Sequence, residues 1–220
     1  MRRYMYEPIP EVFWAAELLA KAAVAHSSGN HADAVRLLCQ ANMPAILDWQ
    51  KPIQWTQPFR QLDTEPATVP RDARPAPRMP TTATRQLVLE RDCYHCRFCG
   101  MPVIASETRK AIMSVYGEGV LPWGSTFETC HAAFQCLWLQ FDHILPNARG
   151  GTSDADNIVI TCAPCNYGRM NFTLNEVGVS NPLASEKPVR WAGYDEWDGL
   201  QAFNVRHGDQ PRTIRGEMAL

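Results

Sequence analysis

Cys96-Arg97-Phe98-Cys99 and Cys162-Ala163-Pro164-Cys165 are two Cys-x-x-Cys pairs, and the dipeptide Asp142-His143 lies between them. Four cysteines in two such pairs, with 62 residues between the pairs, describe a closed tetrahedral structural zinc site. Redox chemistry at Cys96 and Cys99 would need one pair only. Folding around the pairs is therefore expected to depend on zinc. Gly100 suits the turn that folds backbone amides toward sulfur. Cys93, three residues before Cys96, is an alternative ligand. Otherwise Cys39, Cys93, Cys130 and Cys136 read as buried small hydrophobes.

Outward from the pairs, the order of elements follows from pattern. Residues 137–141 are a short apolar and aromatic strand that delivers Asp142 and His143 at its end. Residues 147–151 are a turn, and Ile158, Val159 and Ile160 form a second strand. Pro164 suits the first turn of a helix over 164–171. Thr82 or Thr84 caps a helix running to residue 91. Between the first pair and the Asp-His strand lies an insertion, 101–136, with short helices expected over 107–116 and 129–135. Its His131 reads as an ordinary loop histidine rather than a further site residue.

Residues 11–26 are Ala-rich and almost apolar all round, a helix that needs cover. Residues 31–40 make a second helix and close a helical hairpin. Residues 45–59, with Trp49, Trp55, Phe59 and three prolines in or beside them, read as an irregular aromatic wrap. Residues 61–80 carry five prolines and three arginines and read as an extended linker. The tail, 173–220, is expected to pack across the unit that holds the cysteine pairs and to fray after residue 208.

The chain has 220 residues and is 45% apolar, enough for one core plus a smaller unit. No segment reads as a signal peptide. The most apolar stretch, 12–25, is interrupted by Glu17 and Lys21 and is too short to span a bilayer. A cytoplasmic protein with reduced thiols and no membrane role is the expectation. The formal net charge of −2 argues against a stand-alone, high-affinity DNA binder. Residues 71–110, however, hold eight Arg or Lys against four acids, a local +4. A nucleic-acid face is expected there, with Arg91, Arg97 and, further on, Arg149 as contact candidates.

Asp142, His143, Asn157 and Asn166 are the polar residues held between and beside the cysteine pairs. Phosphodiester hydrolysis needs a deprotonated nucleophile and neutralisation of phosphate charge. A neutral His143 takes a proton from water near pH 7. Asp142 offers hard oxygen to Mg²⁺ or Mn²⁺, and the Asn166 side-chain carbonyl offers a second ligand. Neighbouring strand residues face opposite ways, so Asp142 and His143 share a site only if the strand ends or bends.

Residues 91–172 resemble the HNH nuclease family. The match is Arg91-Asp92-x-x-x-Cys96-x-x-Cys99-Gly100, then Asp142-His143-Ile144-x-Pro146-x-x-x-Gly150-Gly151, then Asp156-Asn157-Ile158-x-x-x-Cys162-x-x-Cys165-Asn166-x-x-Arg169. The resemblance implies a ββα-metal fold, a metal-dependent DNA endonuclease, Asp142 and Asn166 as ligands of one catalytic cation, and His143 as general base. It gives Asn157 the task of holding the loop between the strands and orienting His143, and Arg169 a phosphate contact. A phage-defence or restriction setting is compatible with the family. Cys93 departs from the pattern, standing where many relatives have Gly.

The expected architecture is α+β, a small zinc-stapled nuclease domain behind an α-helical region. Residues 1–60 are a helical unit for docking or dimerisation, 61–81 a linker, 82–180 the nuclease domain with insertion 101–136, and 181–220 a packed extension. Expected partners are DNA and either a second copy or a protein bound through the front helices. The alternative is a non-catalytic zinc module that binds nucleic acid or protein, with Asp142 and His143 as solvated loop residues.

Overall fold

The computed structural model describes residues 7–55, 66–184 and 191–204. Seven α-helices and one two-stranded sheet occur among them. Helix α1 (Pro10–Ser27) and helix α2 (His31–Gln40) form the hairpin. Asn30 caps α2 by accepting from the Asp33 amide at 3.2 Å. The cover that α1 requires comes from α2 and the 3₁₀ turn Gln201–Asn204, among others.

Residues expected as an irregular wrap instead form α3 (Pro44–Trp55), with Pro52 inside it. Proline removes a helical hydrogen bond. Here Ile46, Gln50 and Ile53 share one buried face, and their packing outweighs that loss. Phe59 lies outside the described residues.

Helix α4 (Thr82–Asp92) is capped by Thr81, whose hydroxyl accepts from the Thr84 amide, rather than by Thr82 or Thr84. It ends on Cys93 at φ +50, in the left-handed conformation. That geometry favours glycine, which is the physical content of the departure at this position.

Helix α5 is Ser106–Tyr116. Instead of one helix over 129–135 there is a 3₁₀ turn, Phe127–Thr129, then α6 (Ala132–Cys136). Strand β1 (Leu139–His143) pairs antiparallel with β2 (Ile158–Cys162), with Asp142 opposite Val159 and His143 opposite Ile158. The strand starts two residues later than expected, because Trp138 bridges to Ile104 of the insertion and Leu137 caps α6. Asp142 and His143 are the last two residues of β1, the end at which the strand was expected to deliver them. Helix α7 is Ala163–Arg169 and ends before residue 171. The β1–β2–α7 unit with its cysteine cluster is of the ββα type.

One continuous apolar cluster runs from Val12 to Phe203. The front helices belong to it: α3 packs on α6 and α7, His131 Nε2 lies 2.9 Å from the Leu38 carbonyl, and the Ala132 amide donates to Asn42 Oδ1 at 2.7 Å. His131 is buried structure, away from the candidate site. The tail packs as expected: Trp197 Nε1 donates to the Val103 carbonyl and Tyr194 stacks on His95 at 3.7 Å. Its fraying point lies outside the described residues.

Residues 66–80, expected as extended, carry a 3₁₀ turn over Arg71–Ala73 and do not hang free. The Val69 amide donates to the Ala148 carbonyl, Asn147 Nδ2 to the Pro75 carbonyl, and Ser153 Oγ to the Arg78 carbonyl, at 2.8 to 2.9 Å. This segment is a strap laid along the loop between β1 and β2. Among the described residues no helix is long and apolar enough to cross a membrane.

Candidate active site and metal centre

Cys96 and Cys99 sit in the turn after α4, Cys162 closes β2 and Cys165 lies in the first turn of α7. All four are buried, with their sulfurs within 4.8 Å of one another. Cys99 Sγ and Cys162 Sγ are 3.6 Å apart. A tetrahedral zinc with its usual Zn–S bonds places sulfurs about 3.8 Å apart, so the donor set fits that ion. The Gly100 amide donates to the Cys96 carbonyl and the Arg97 amide to the Ile160 carbonyl, at 2.8 and 2.9 Å, which ties the knuckle to β2.

Burial pushes the thiols of Cys99, Cys162 and Cys165 up. A divalent cation supplies the charge that lets such a group ionise together. Cys93 is exposed, points Sγ at the Glu90 carbonyl, and is not one of the four. Cys39 is also exposed, contrary to the expectation of burial, while Cys130 and Cys136 are buried.

A cleft of about 1040 Å³ opens beside this knuckle. Asp142, His143 and Asn166 all line it. Gln140 and Phe141 line it too, so four consecutive residues from both faces of β1 reach one space. The strand ends at His143 and the chain bends directly after it, which is the condition for these two neighbours to share a site.

His143 Nε2 is 2.9 Å from Ser153 Oγ, and that hydroxyl donates its one proton to the Arg78 carbonyl at 2.9 Å. The serine can then only accept from histidine, which puts the imidazole proton on Nε2 and leaves the Nδ1 lone pair as the basic atom. Burial lowers the His143 pKa below its usual 6.5; the Asp142 charge opposes this, and the Arg169 and Arg78 charges add to it. The ring is neutral near pH 7.

Asp142 is nearly buried, and both its oxygens meet Arg169: Nη2 to Oδ1 at 2.6 Å and Nε to Oδ2 at 2.8 Å. A carboxylate has about four lone-pair sites, so each oxygen keeps one. Asn166 lines the same cleft, and a carboxylate with a side-chain amide is the donor chemistry of a hard cation whose remaining ligands are water and phosphate.

Asn157 does not line the cleft. Its Oδ1 accepts from the Leu145 amide at 2.8 Å, and its Nδ2 donates to the Leu145 and Thr152 carbonyls at 3.0 and 2.7 Å. It staples the loop that ends at Ser153. Gly151 completes the staple, since a Cβ there would lie 1.8 Å from the Leu145 oxygen.

The four arginines expected to meet nucleic acid are engaged within the fold. Arg169 is fully buried; besides Asp142 it bonds the His143 and Phe172 carbonyls, which fixes α7 to β1. Arg91 pairs with buried Asp92 and donates to the Ala155 and Ile158 carbonyls at 2.7 Å. Arg97 bonds the Pro182 carbonyl, and Arg149 pairs with buried Glu176 at 2.9 Å. Positive charge in the cleft comes instead from Arg71, Arg74 and Arg78 of the strap. Sequence reading expected a nucleic-acid face over 71–110, which includes these three, but singled out Arg91 and Arg97 there instead. Ser153 carried no signal.

The sequence profile of the family described as HNH endonuclease matches residues 128–178. The matched stretch holds Asp142, His143, Asn157, Cys162, Cys165 and Asn166, and excludes Cys96 and Cys99. No curated protein and no solved structure matches the chain.

Proposed function

We propose that this chain is a metal-dependent endonuclease that hydrolyses DNA phosphodiester bonds. The observation that carries the reading is the convergence of Asp142, His143 and Asn166 on one cleft beside the four-cysteine cluster. The profile match over the same residues supports it.

In this reading His143 Nδ1 accepts a proton from the attacking water, while Ser153 and the Arg78 carbonyl hold Nε2–H and so fix the ring. Asp142 and Asn166 would hold a divalent cation, which neutralises phosphate charge and eases departure of the leaving oxygen. Arg169 orients Asp142, and Asn157 fixes the loop that presents Ser153. The cysteine cluster has no chemical step; it joins the turn after α4 to β2 and α7. One such site cuts one strand, so a double-strand break takes two sites or two successive nicks.

One observation favours a second reading. Arg169 already grips both oxygens of Asp142, as in a structural ion pair, which suits a zinc module that binds without cutting. Supercoiled plasmid with zinc-loaded protein and Mg²⁺ or Mn²⁺ separates the two. The nuclease reading expects nicked or linear product from wild type and at least a hundredfold less from His143→Ala, the order of a lost general base. Intact plasmid in both metals favours the binding module, and equal cutting by the variant removes His143 from its role.

A further inference from the structure

We infer that the strap over residues 66–80 is the element that grips the DNA backbone, through Arg71, Arg74 and Arg78, next to the phosphate being cut. The inference rests on the nuclease reading and adds to it the residues that hold substrate.

Three observations carry it. First, the strap forms one side of the cleft, and its three arginines line the same space as Asp142, His143 and Asn166. Arg71 and Arg78 are exposed and Arg74 is half-buried. Among the described residues none of the three forms an ion pair, whereas Arg91, Arg97, Arg149 and Arg169 all do. Unpaired cations at a cleft are the groups that exchange their counterions for phosphates.

Second, the strap is fixed. Its carbonyls at Pro66, Pro75 and Arg78 accept from Arg149, Asn147 and Ser153, and its Val69 amide donates to Ala148. Arg74 Nε also donates to the Val69 carbonyl at 3.0 Å, which sets the direction of its guanidinium. Five prolines between residues 66 and 80 limit the chain's freedom further. The backbone that carries the three cations is thus held in place before substrate arrives, and Arg74 is oriented as well.

Third, the same tether serves the chemistry. Ser153 Oγ links the Arg78 carbonyl to His143 Nε2, so the residue whose side chain faces the cleft also buttresses the base. Backbone grip and base alignment are therefore parts of one local structure.

The test uses the full chain in a His143→Ala background, which removes cutting, and a fluorescent DNA duplex of about 20 base pairs. Binding is measured by anisotropy across a salt series. Removing one cation that neutralises a phosphate lowers the slope of log K against log salt by about 0.9. The triple variant Arg71→Gln, Arg74→Gln, Arg78→Gln is expected to lower the slope by about 2 to 3 and to weaken binding at least tenfold. The double variant Arg71→Gln, Arg78→Gln, which touches only exposed side chains, is expected to lower it by about 2. A control that removes charge elsewhere, Lys21→Gln with Lys110→Gln, is expected to leave the slope in place. If the parent binds and the strap variants match it, the inference is overturned while the nuclease reading stands. If wild type neither binds the duplex nor cuts plasmid in Mg²⁺ or Mn²⁺, the nuclease reading fails, and the strap inference with it.

Discussion

The Asp142 carboxylate and the Arg169 guanidinium meet side-on, with two bonds of 2.6 and 2.8 Å, and the guanidinium is fully buried. Arg169→Ala would leave a buried carboxylate without its partner. The expected loss is about 3–5 kcal/mol of folding stability, read from denaturant melts. Arg169→Lys keeps the charge but not the fork, and should fall between wild type and Arg169→Ala. Three equal melting curves would mean that the pair is not structural.

Zinc content should be one ion per chain, measured by elemental analysis of protein purified without added metal. Cys162→Ser is expected to lose the ion and to unfold the hairpin and α7, since classical structural zinc sites supply much of the folding energy outright. Cys93→Ser should keep both zinc and fold, because that thiol points at the Glu90 carbonyl. Zinc loss in Cys93→Ser would overturn the ligand assignment.

His143 should show its acid limb below pH 6.5 in a profile of kcat/KM on plasmid, because burial lowers its pKa. Activity rises through that limb and levels near pH 7, once the ring is neutral. Arg78→Gln removes one of the charges that disfavour protonation, so its limb should move toward higher pH. A limb above 7 in wild type would contradict a neutral base at working pH.

His131 has its pKa lowered from 6.5 to about 4, by burial first and against the bond to the Leu38 carbonyl. Between those pH values the unfolded chain binds a proton and the folded chain does not. Its contribution to stability is therefore full above pH 6.5 and is lost as pH falls toward 4. The integrated loss is about 3 kcal/mol. Thermal melts between pH 7.5 and 4.5 should fall accordingly, with a shallower fall for His131→Gln. Parallel curves would assign the acid sensitivity to other groups.

Asn157→Ala removes three bonds from the loop between the strands. It should cut activity more than tenfold while leaving zinc bound, since it touches neither the cysteines nor the cleft. Rescue by Asn157→Asp should be partial, because the aspartate keeps Oδ1 toward the Leu145 amide but cannot donate.

Local and covalently spaced features were legible in the sequence. Cysteine spacing named the four sulfurs that the fold brings together, the apolar pattern over 31–40 announced α2, and the β-branched run 158–160 announced β2. What escaped depends on distant partners. Nothing near Arg169 in the chain says that it will be swallowed by the fold to hold Asp142, 27 residues earlier. Prolines and arginines over 66–80 read as a linker because the hydrogen-bond acceptors of an extended segment give no sign of which loop will use them. Helix α3 survives Pro52 because one of its faces is buried against α6 and α7, a term no local propensity contains.

The unbroken apolar interior has a consequence for anyone hoping to use the cutting unit as a portable cassette. Helices α2 and α3 are walls of the same body that houses the hairpin, joined to it by Leu38, Asn42, His131 and Ala132. Excising a minimal fragment from residue 82 onward would strip the greasy underside of α6 and α7 bare and discard the arginine-bearing side of the groove. Transplantation would have to carry the whole ensemble.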